Sequence, residues 1–317
     1  MKNIVFMGTP SFAVPILKDL FNSDEYNVMA VVTQPDRPFG RKRMLKASPV
    51  KELAKDLDIP VLQPEKISGS KEMTEIIDMK PDFIITAAFG QFLPTKLLDS
   101  AKFAAVNVHG SLLPKYRGGA PVQYSIMNGD KQTGVSIMYM VKKMDAGDVL
   151  SQSAINIESD DDTASIFEKL SKLGSQLLLK TLPKVIDGSV KPLTQDESKV
   201  VFSPTIKRSE EKLDFSQSAF LIDCKVRALR PDPSAYTILN GKRTKVWVTK
   251  PLEQKTDLNP GEVVTKNKKH LLIACGNGTV ISILELQPAG KPKQNISSYI
   301  NGAGQNIKEK EQVITNE

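Results

Sequence analysis

Short apolar runs separated by amphipathic stretches fill the first two-thirds of the chain. The runs at 4–7, 28–33, 83–88, 104–108 and 135–140 predict buried strands. Between them apolar positions recur at helical spacing, at Phe12, Ile16, Leu17 and Leu20, then at Val50, Leu53, Ala54 and Leu57, with Ser48 placed as N-cap and Pro49 at the first helical position. Strand and helix alternating in this way predict an α/β domain built on a Rossmann-like, mostly parallel sheet covered on both faces. A long helix is expected over 163–187, preceded by the acidic run Ser159-Asp160-Asp161-Asp162, stopped by Gly188, with Pro183 bending its last turn.

The texture changes after residue 188. The polar stretch 189–205 has no strong period and is expected to be a linker. A helix at 217–229 and β pattern at 235–239, 245–248, 261–265, 270–275 and 279–286 follow, with Asn240-Gly241 as a hairpin signal and Gly276-Asn277-Gly278 as a second turn. The division expected is a domain over 1–188, the linker 189–205, and a smaller OB-like β-barrel over 206–317 whose tail frays from Lys308.

At 317 residues each domain can bury its own core. Two cysteines, Cys224 and Cys275, without a Cys-x-x-Cys pair argue against a disulfide-built secreted protein. Residues 1–8 carry one basic residue and four consecutive apolar ones, too few for a signal peptide or a membrane span, so a cytoplasmic protein is expected. Net charge is +7, and residues 206–317 hold 18 Lys and Arg against 12 Asp and Glu, a bias that suits a polyanionic partner and also suits a basic domain that binds nothing.

Candidate chemistry narrows the field. Gly8-Thr9-Pro10 opens like a nucleotide-binding unit but lacks the further glycines of the dinucleotide fingerprint, and a tight strand-to-helix turn explains it equally. The two histidines, His109 and His270, have no Cys or His neighbour at ligand spacing, so no metal is expected. Asn107 and His109, two apart at the end of an apolar strand, project to one side where open α/β sheets bind ligands. They pair a hydrogen-bond donor for an oxyanion with a proton carrier, or are polar groups satisfied by backbone at a strand end. Asp145, after the 135–140 strand, is placed to orient the imidazole, or is ordinary Asp-Ala-Gly turn chemistry. Six cations from Arg37 to Lys51 with no acid among them form a basic loop that Pro35, Pro38 and Gly40 keep out of helix or strand, fit for phosphate or simply solvated.

Taken together these residues resemble a known signature. Asn107-Val-His-Gly-Ser-Leu-Leu-Pro-Lys-Tyr-Arg-Gly-Gly-Ala-Pro121, Thr133-Gly-Val and Met144-Asp-Ala-Gly-Asp148 look like the motif of enzymes that use 10-formyltetrahydrofolate. With Thr33-Gln-Pro-Asp-Arg-Pro, Ser48-Pro-Val-Lys, Ala87-Ala-Phe-Gly-Gln-Phe-Leu-Pro94 and a second domain, the chain resembles the bacterial methionyl-tRNA formyltransferases over nearly its whole length. The resemblance implies transfer of a formyl group from the folate to the α-amino group of methionine on initiator tRNA, with Asn107, His109 and Asp145 catalytic. It implies folate contacts from Ser111, Leu112, Leu113 and Pro114 and from Phe89, Gly90, Gln91, Phe92 and Leu93, and tRNA contacts from Arg37, Arg41, Lys42 and Arg43. A monomer and no membrane association are expected. The chain departs from the family at Leu229-Arg230-Pro231-Asp232-Pro233, where relatives carry an Asn-Pro-Trp-Pro-like turn; Trp247 is expected to be core. The rival readings are a formyl-folate enzyme acting on a small amine, and a non-catalytic RNA-binding protein that leaves the Asn-His-Asp set unexplained.

Overall fold

The computed structural model describes residues 1–39 and 44–315. They divide into two compact units, one of residues 1–121, 132–156 and 167–204, the other of 122–131, 157–166 and 205–317.

The first unit is built on a seven-stranded sheet. Its strands are β1 (Lys2–Gly8), β2 (Tyr26–Val32), β5 (Val61–Leu62), β6 (Phe83–Ala87), β7 (Ala104–His109), β8 (Gln132–Tyr139) and β9 (Val149–Asn156), in the order β5-β2-β1-β6-β7-β8-β9. Pairing is parallel from β5 to β7 and antiparallel for β8 and β9. The central strands are apolar on both faces, Ile4 to Met7 and Phe83 to Ile85 being fully buried, as a sheet covered on two sides requires. The strand order turns back at β1 and β6, so their carboxyl ends open the crevice where such sheets bind ligands.

The flanking helices follow from their caps and faces. Helix Ala13–Phe21 buries Ala13, Ile16, Leu17 and Leu20. Helix Pro49–Asp56 starts at Ser48, whose hydroxyl accepts from the Lys51 N–H at 3.1 Å. Helix Thr163–Ile186 contains Pro183, is capped by the Asp162 carboxylate on the Ser165 N–H at 2.9 Å, and gives way to Gly188 at φ +73°. A Cβ on Gly8 would lie 2.7 Å from the Ala13 Cβ, so this glycine serves close strand-to-helix packing.

Two local differences from the sequence reading appear here. The basic loop carries a short ribbon, β3 (Arg37–Phe39) paired antiparallel with β4 (Met44–Lys46), because a two-stranded ribbon tolerates the missing N–H of Pro38. The stretch 189–204 packs on the first unit through bridges Val149↔Leu193 and Arg117↔Phe202.

The second unit is a curled antiparallel sheet of β10 (Tyr236–Leu239), β11 (Lys242–Lys255), β12 (Val263–Lys266), β13 (Leu271–Cys275), β14 (Thr279–Pro288), β15 (Gln294–Asn295) and β16 (Ile314–Thr315). Its path runs β12-β13-β14-β11-β10-β16, with β15 on β14. Asn240 and Gly241, both at positive φ, make the expected hairpin turn between β10 and β11. The tail does not fray at Lys308: hydrogen bonds of 310–314 with Gly261 and Val263 draw the far edges of the sheet together, and Val313 and Ile314 are buried in its core. Trp247 is half-buried rather than core, with the Lys245 and Lys293 ammonium groups 5.7 and 5.3 Å from its ring centre. Arg230, in the divergent turn, donates to the Asp162 carboxylate at 2.8 Å and to the Trp247 carbonyl at 3.1 Å.

Candidate active site

Strand β7 carries Asn107 and His109 to the carboxyl end of the parallel sheet. Asn107 lies in register with Thr86 on β6, and the Thr86 hydroxyl donates to Asn107 Oδ1 at 2.8 Å. In that pairing the Asn107 carbonyl oxygen is engaged, and both Nδ2 hydrogens are left without a protein acceptor among the described residues. A half-buried amide with two available donors suits an oxygen that gains negative charge.

His109 is buried, and its Nε2 lies 2.9 Å from the Tyr116 carbonyl. A carbonyl can only accept, so Nε2 carries the proton and the neutral ring presents a bare Nδ1. Asp145 Oδ2 stands 3.8 Å from that Nδ1, beyond hydrogen-bond reach. The same Oδ2 accepts from the Gly118 N–H at 2.9 Å. Asp145 sits at φ +50° in the loop between β8 and β9. The stretch 116–118, from the middle of the signature, therefore fixes both partners: the imidazole through the Tyr116 carbonyl and the carboxylate through the Gly118 amide.

The residues expected to touch a folate divide by exposure. The side chains of Phe89, Leu93, Ser111 and Leu113 are buried. Phe89 and Leu93 belong to a core cluster with Val5, Ile84 and Leu97, and Leu113 packs with Met138 and Val149. Ser111 donates its hydroxyl to the Lys115 carbonyl at 2.6 Å. Gln91 is a structural tie, its oxygen accepting from the Ile67 N–H at 2.7 Å and its amide donating to the Pro64 carbonyl at 3.1 Å. Surface is offered by Gly90 and Phe92, which are exposed, and by Leu112 and Pro114, which are half-buried. Arg37 is exposed and paired with Glu65 at 2.6 Å; Arg41, Lys42 and Arg43 lie outside the described residues.

Three contributors went unread in the sequence. Thr86 was a hydroxyl in an apolar strand, the one available hint. Arg117 is wholly buried, and Gln195, in the stretch expected to be a linker, donates to the carbonyls of Asp145 and Gly147 at 2.9 and 2.7 Å. Nothing in the sequence around Gln195 marks it.

Residues 1–182 match the formyl transferase family model, and residues 205–304 match the model of the formyl transferase C-terminal domain. The chain belongs to the formyl transferase family. It is 63% identical over 318 residues to the methionyl-tRNA formyltransferase of Ligilactobacillus salivarius, covering 100% of each chain, and 60% identical over 317 residues to that of Limosilactobacillus fermentum, again covering 100% of each. Among solved structures it resembles an N-formyltransferase from Helicobacter canadensis in complex with folinic acid and dTDP-3-aminofucose, with a TM-score of 0.68 at 20% identity over 91% of this chain and 100% of that one. It also resembles HypX from Aquifex aeolicus in complex with tetrahydrofolic acid, with a TM-score of 0.60 at 18% identity over 100% of this chain and 51% of that one. These two likenesses concern the fold. Among the described residues no helix is long and apolar enough to cross a membrane, and no group of three His, Cys, Asp or Glu is placed to hold a metal ion.

Proposed function

We propose that this chain transfers the formyl group of 10-formyltetrahydrofolate to the α-amino group of methionine on initiator methionyl-tRNA, giving the N-formylated tRNA used to start translation. The observation that carries the reading is the Asn107, His109 and Asp145 arrangement at the sheet's open end, in a chain that matches methionyl-tRNA formyltransferases from end to end. The folate chemistry is assigned to the domain of residues 1–188, on which 189–204 packs, and tRNA binding to 206–317 together with the basic loop of Arg37, Arg41, Lys42 and Arg43. The enzyme works as a monomer in the cytoplasm and uses no metal.

The residues present fit a formyl donor. Thr86 holds the Asn107 amide with its two donors free, and those donors meet the formyl oxygen as negative charge builds on it; losing such a donor costs about 10²–10³ in rate. The α-amine, with a reference pKa near about 7.7–8.0, is a competent nucleophile once neutral. As the amine nitrogen bonds to the formyl carbon, His109 takes up the released proton at Nδ1, a service worth roughly 10²–10⁴, with Asp145 facing the charged ring, and the proton passes to the folate N10 as the bond from N10 to the formyl carbon breaks. Ser111, Leu112, Leu113 and Pro114, with Phe89, Gly90, Gln91, Phe92 and Leu93, form the folate's surroundings. The four buried side chains among them shape the pocket wall from behind, and Phe92, Gly90, Leu112 and Pro114 supply its face.

A competition assay tests the assignment. Methionyl initiator tRNA, uncharged tRNA and a small primary amine are offered together with 10-formyltetrahydrofolate, and the charged tRNA is expected to take nearly all the label. Preferential formylation of the small amine would transfer the chain to the rival reading.

A further inference from the structure

Asp145 approaches His109 from a loop whose own outer residues, 141–144, are exposed and give it little anchorage. The anchorage comes from a different part of the first unit. Gln195, itself buried, spends both amide hydrogens on this loop, donating to the Asp145 carbonyl at 2.9 Å and to the Gly147 carbonyl at 2.7 Å. Its own oxygen accepts from Arg117 Nε at 3.0 Å. Two carbonyls on one side and a guanidinium on the other allow the Gln195 amide a single orientation, since a flip would face oxygen with oxygen. Arg117 is 0% exposed and is held in turn by Glu197 at 2.9 Å; Glu197 also takes the Lys143 ammonium of the same loop at 2.8 Å. These two ion bonds hold the Glu197 carboxyl below its usual range, Lys143 contributing most. Arg117 lies between Tyr116 and Gly118, whose backbone groups grip His109 and Asp145 directly.

We propose that Gln195, anchored by Arg117, is a positioning residue that sets the Asp145 carboxylate against His109. It touches no reacting group; it fixes the loop from beneath, at the carbonyls of Asp145 and Gly147. The inference rests on the proposed function for its kinetic consequence and on geometry alone for its spectroscopic one.

The test compares the full-length chain with Gln195→Glu and Gln195→Ala. Glutamate keeps the shape and the bond to Arg117 but faces two carbonyls with acceptors only, so a role in packing predicts that it performs like glutamine. Positioning predicts that both variants lose kcat for methionyl-tRNA formylation by about 10- to 100-fold, with KM for the folate within about threefold. With His109 and His270 as the two histidines, the ring nitrogen signals of each are read separately in ¹⁵N-labelled protein. Those of His109 are expected to move in both variants at fixed pH, and those of exposed His270 to stay. A folded Gln195→Glu chain with wild-type kcat overturns the proposal, as does a fall in kcat with His109 signals unchanged. Should the wild-type chain not formylate methionyl-tRNA, the functional reading fails, and the His109 signals alone still decide whether Gln195 positions Asp145.

Discussion

Replacing Gly147 by alanine displaces the loop that carries Asp145 without touching any catalytic group. Gly147 has no positive φ, so the obstacle to alanine there is steric. The new Cβ would lie 2.9 Å from the Tyr139 carbonyl carbon and closer still to its oxygen, nearer than real Cβ atoms come to backbone. Tyr139 ends β8, which is paired on both sides, with β7 and β9, so the strand holds and the loop gives way. Relief takes a shift of about 1 Å, two residues from Asp145, and stretches the 2.7 Å bond from Gln195 to the Gly147 carbonyl. A misplacement of about 1 Å costs on the order of 10² in rate, equivalent to about 2.7 kcal/mol of barrier. Overpacking of this kind costs about 1–3 kcal/mol of stability, which leaves a folded protein to assay. Steady-state formylation of methionyl-tRNA at saturating folate gives kcat, and urea unfolding gives the stability. A folded Gly147→Ala enzyme with kcat within about threefold of wild type would refute the claim that the loop's position limits the chemistry.

Four further outcomes are expected. Thr86→Val removes the donor that orients the Asn107 amide and is expected to lower kcat about tenfold with little change in KM for the folate, because a freed amide spends part of its time turned the wrong way. Raising salt from about 50 to 200 mM is expected to raise KM for the tRNA steeply and to leave that for the folate nearly unchanged, and neutralising Arg41, Lys42 and Arg43 together flattens the salt slope; equal response of both substrates would contradict the basic loop's role. Hydrogen bonds from Lys51, then Gln63, hold the Asp36 carboxyl below its ordinary value. A lowered folded value stabilises at pH above the unfolded value of about 3.9 and is lost as pH falls through the folded one, so Asp36→Asn is expected to narrow the gap in urea midpoint between pH 7 and acid. Burial pushes the Cys275 thiol up to about 12 and raises that of Cys224, so neither is expected to react with iodoacetamide at about pH 8 until urea unfolds the chain, as mass spectrometry would show.

Much of the fold was legible because the central strands are buried on both faces and read as unbroken apolar runs. Strand β9 escaped because it alternates: Ser151, Ser153 and Ile155 are half-buried, their neighbours Gln152, Ala154 and Asn156 exposed, and no apolar run forms. The ribbon of β3 and β4 escaped because Pro35, Pro38 and Gly40 signal a break in regular structure, whereas a ribbon needs few ladder bonds. The polar tail looked frayed because its anchorage is backbone hydrogen bonding to Gly261 and Val263, invisible in side-chain character.

Within the site, Asn107 and His109 were legible from their spacing on an apolar strand, and Asp145 only in company with them. The folate residues were legible as a sequence motif, but the motif mixes surface with support: Phe92 is exposed, whereas Phe89, Ser111 and Leu113 are inside. Thr86 and Gln195 reach the catalytic groups across 21 and 50 residues of chain, and only the folded register brings them there. Spacing rules see partners a few residues apart, so these supports had no local signature to read.

The proposed chemistry has one amide, one imidazole and one carboxylate act on a single carbon. The most direct measurement is a crystal structure with an unreactive analogue of 10-formyltetrahydrofolate. The formyl oxygen is expected about 3 Å from Asn107 Nδ2, with the formyl carbon on the side of the ring where His109 Nδ1 faces Asp145. An analogue bound with its formyl group out of reach of both Asn107 and His109 would contradict it.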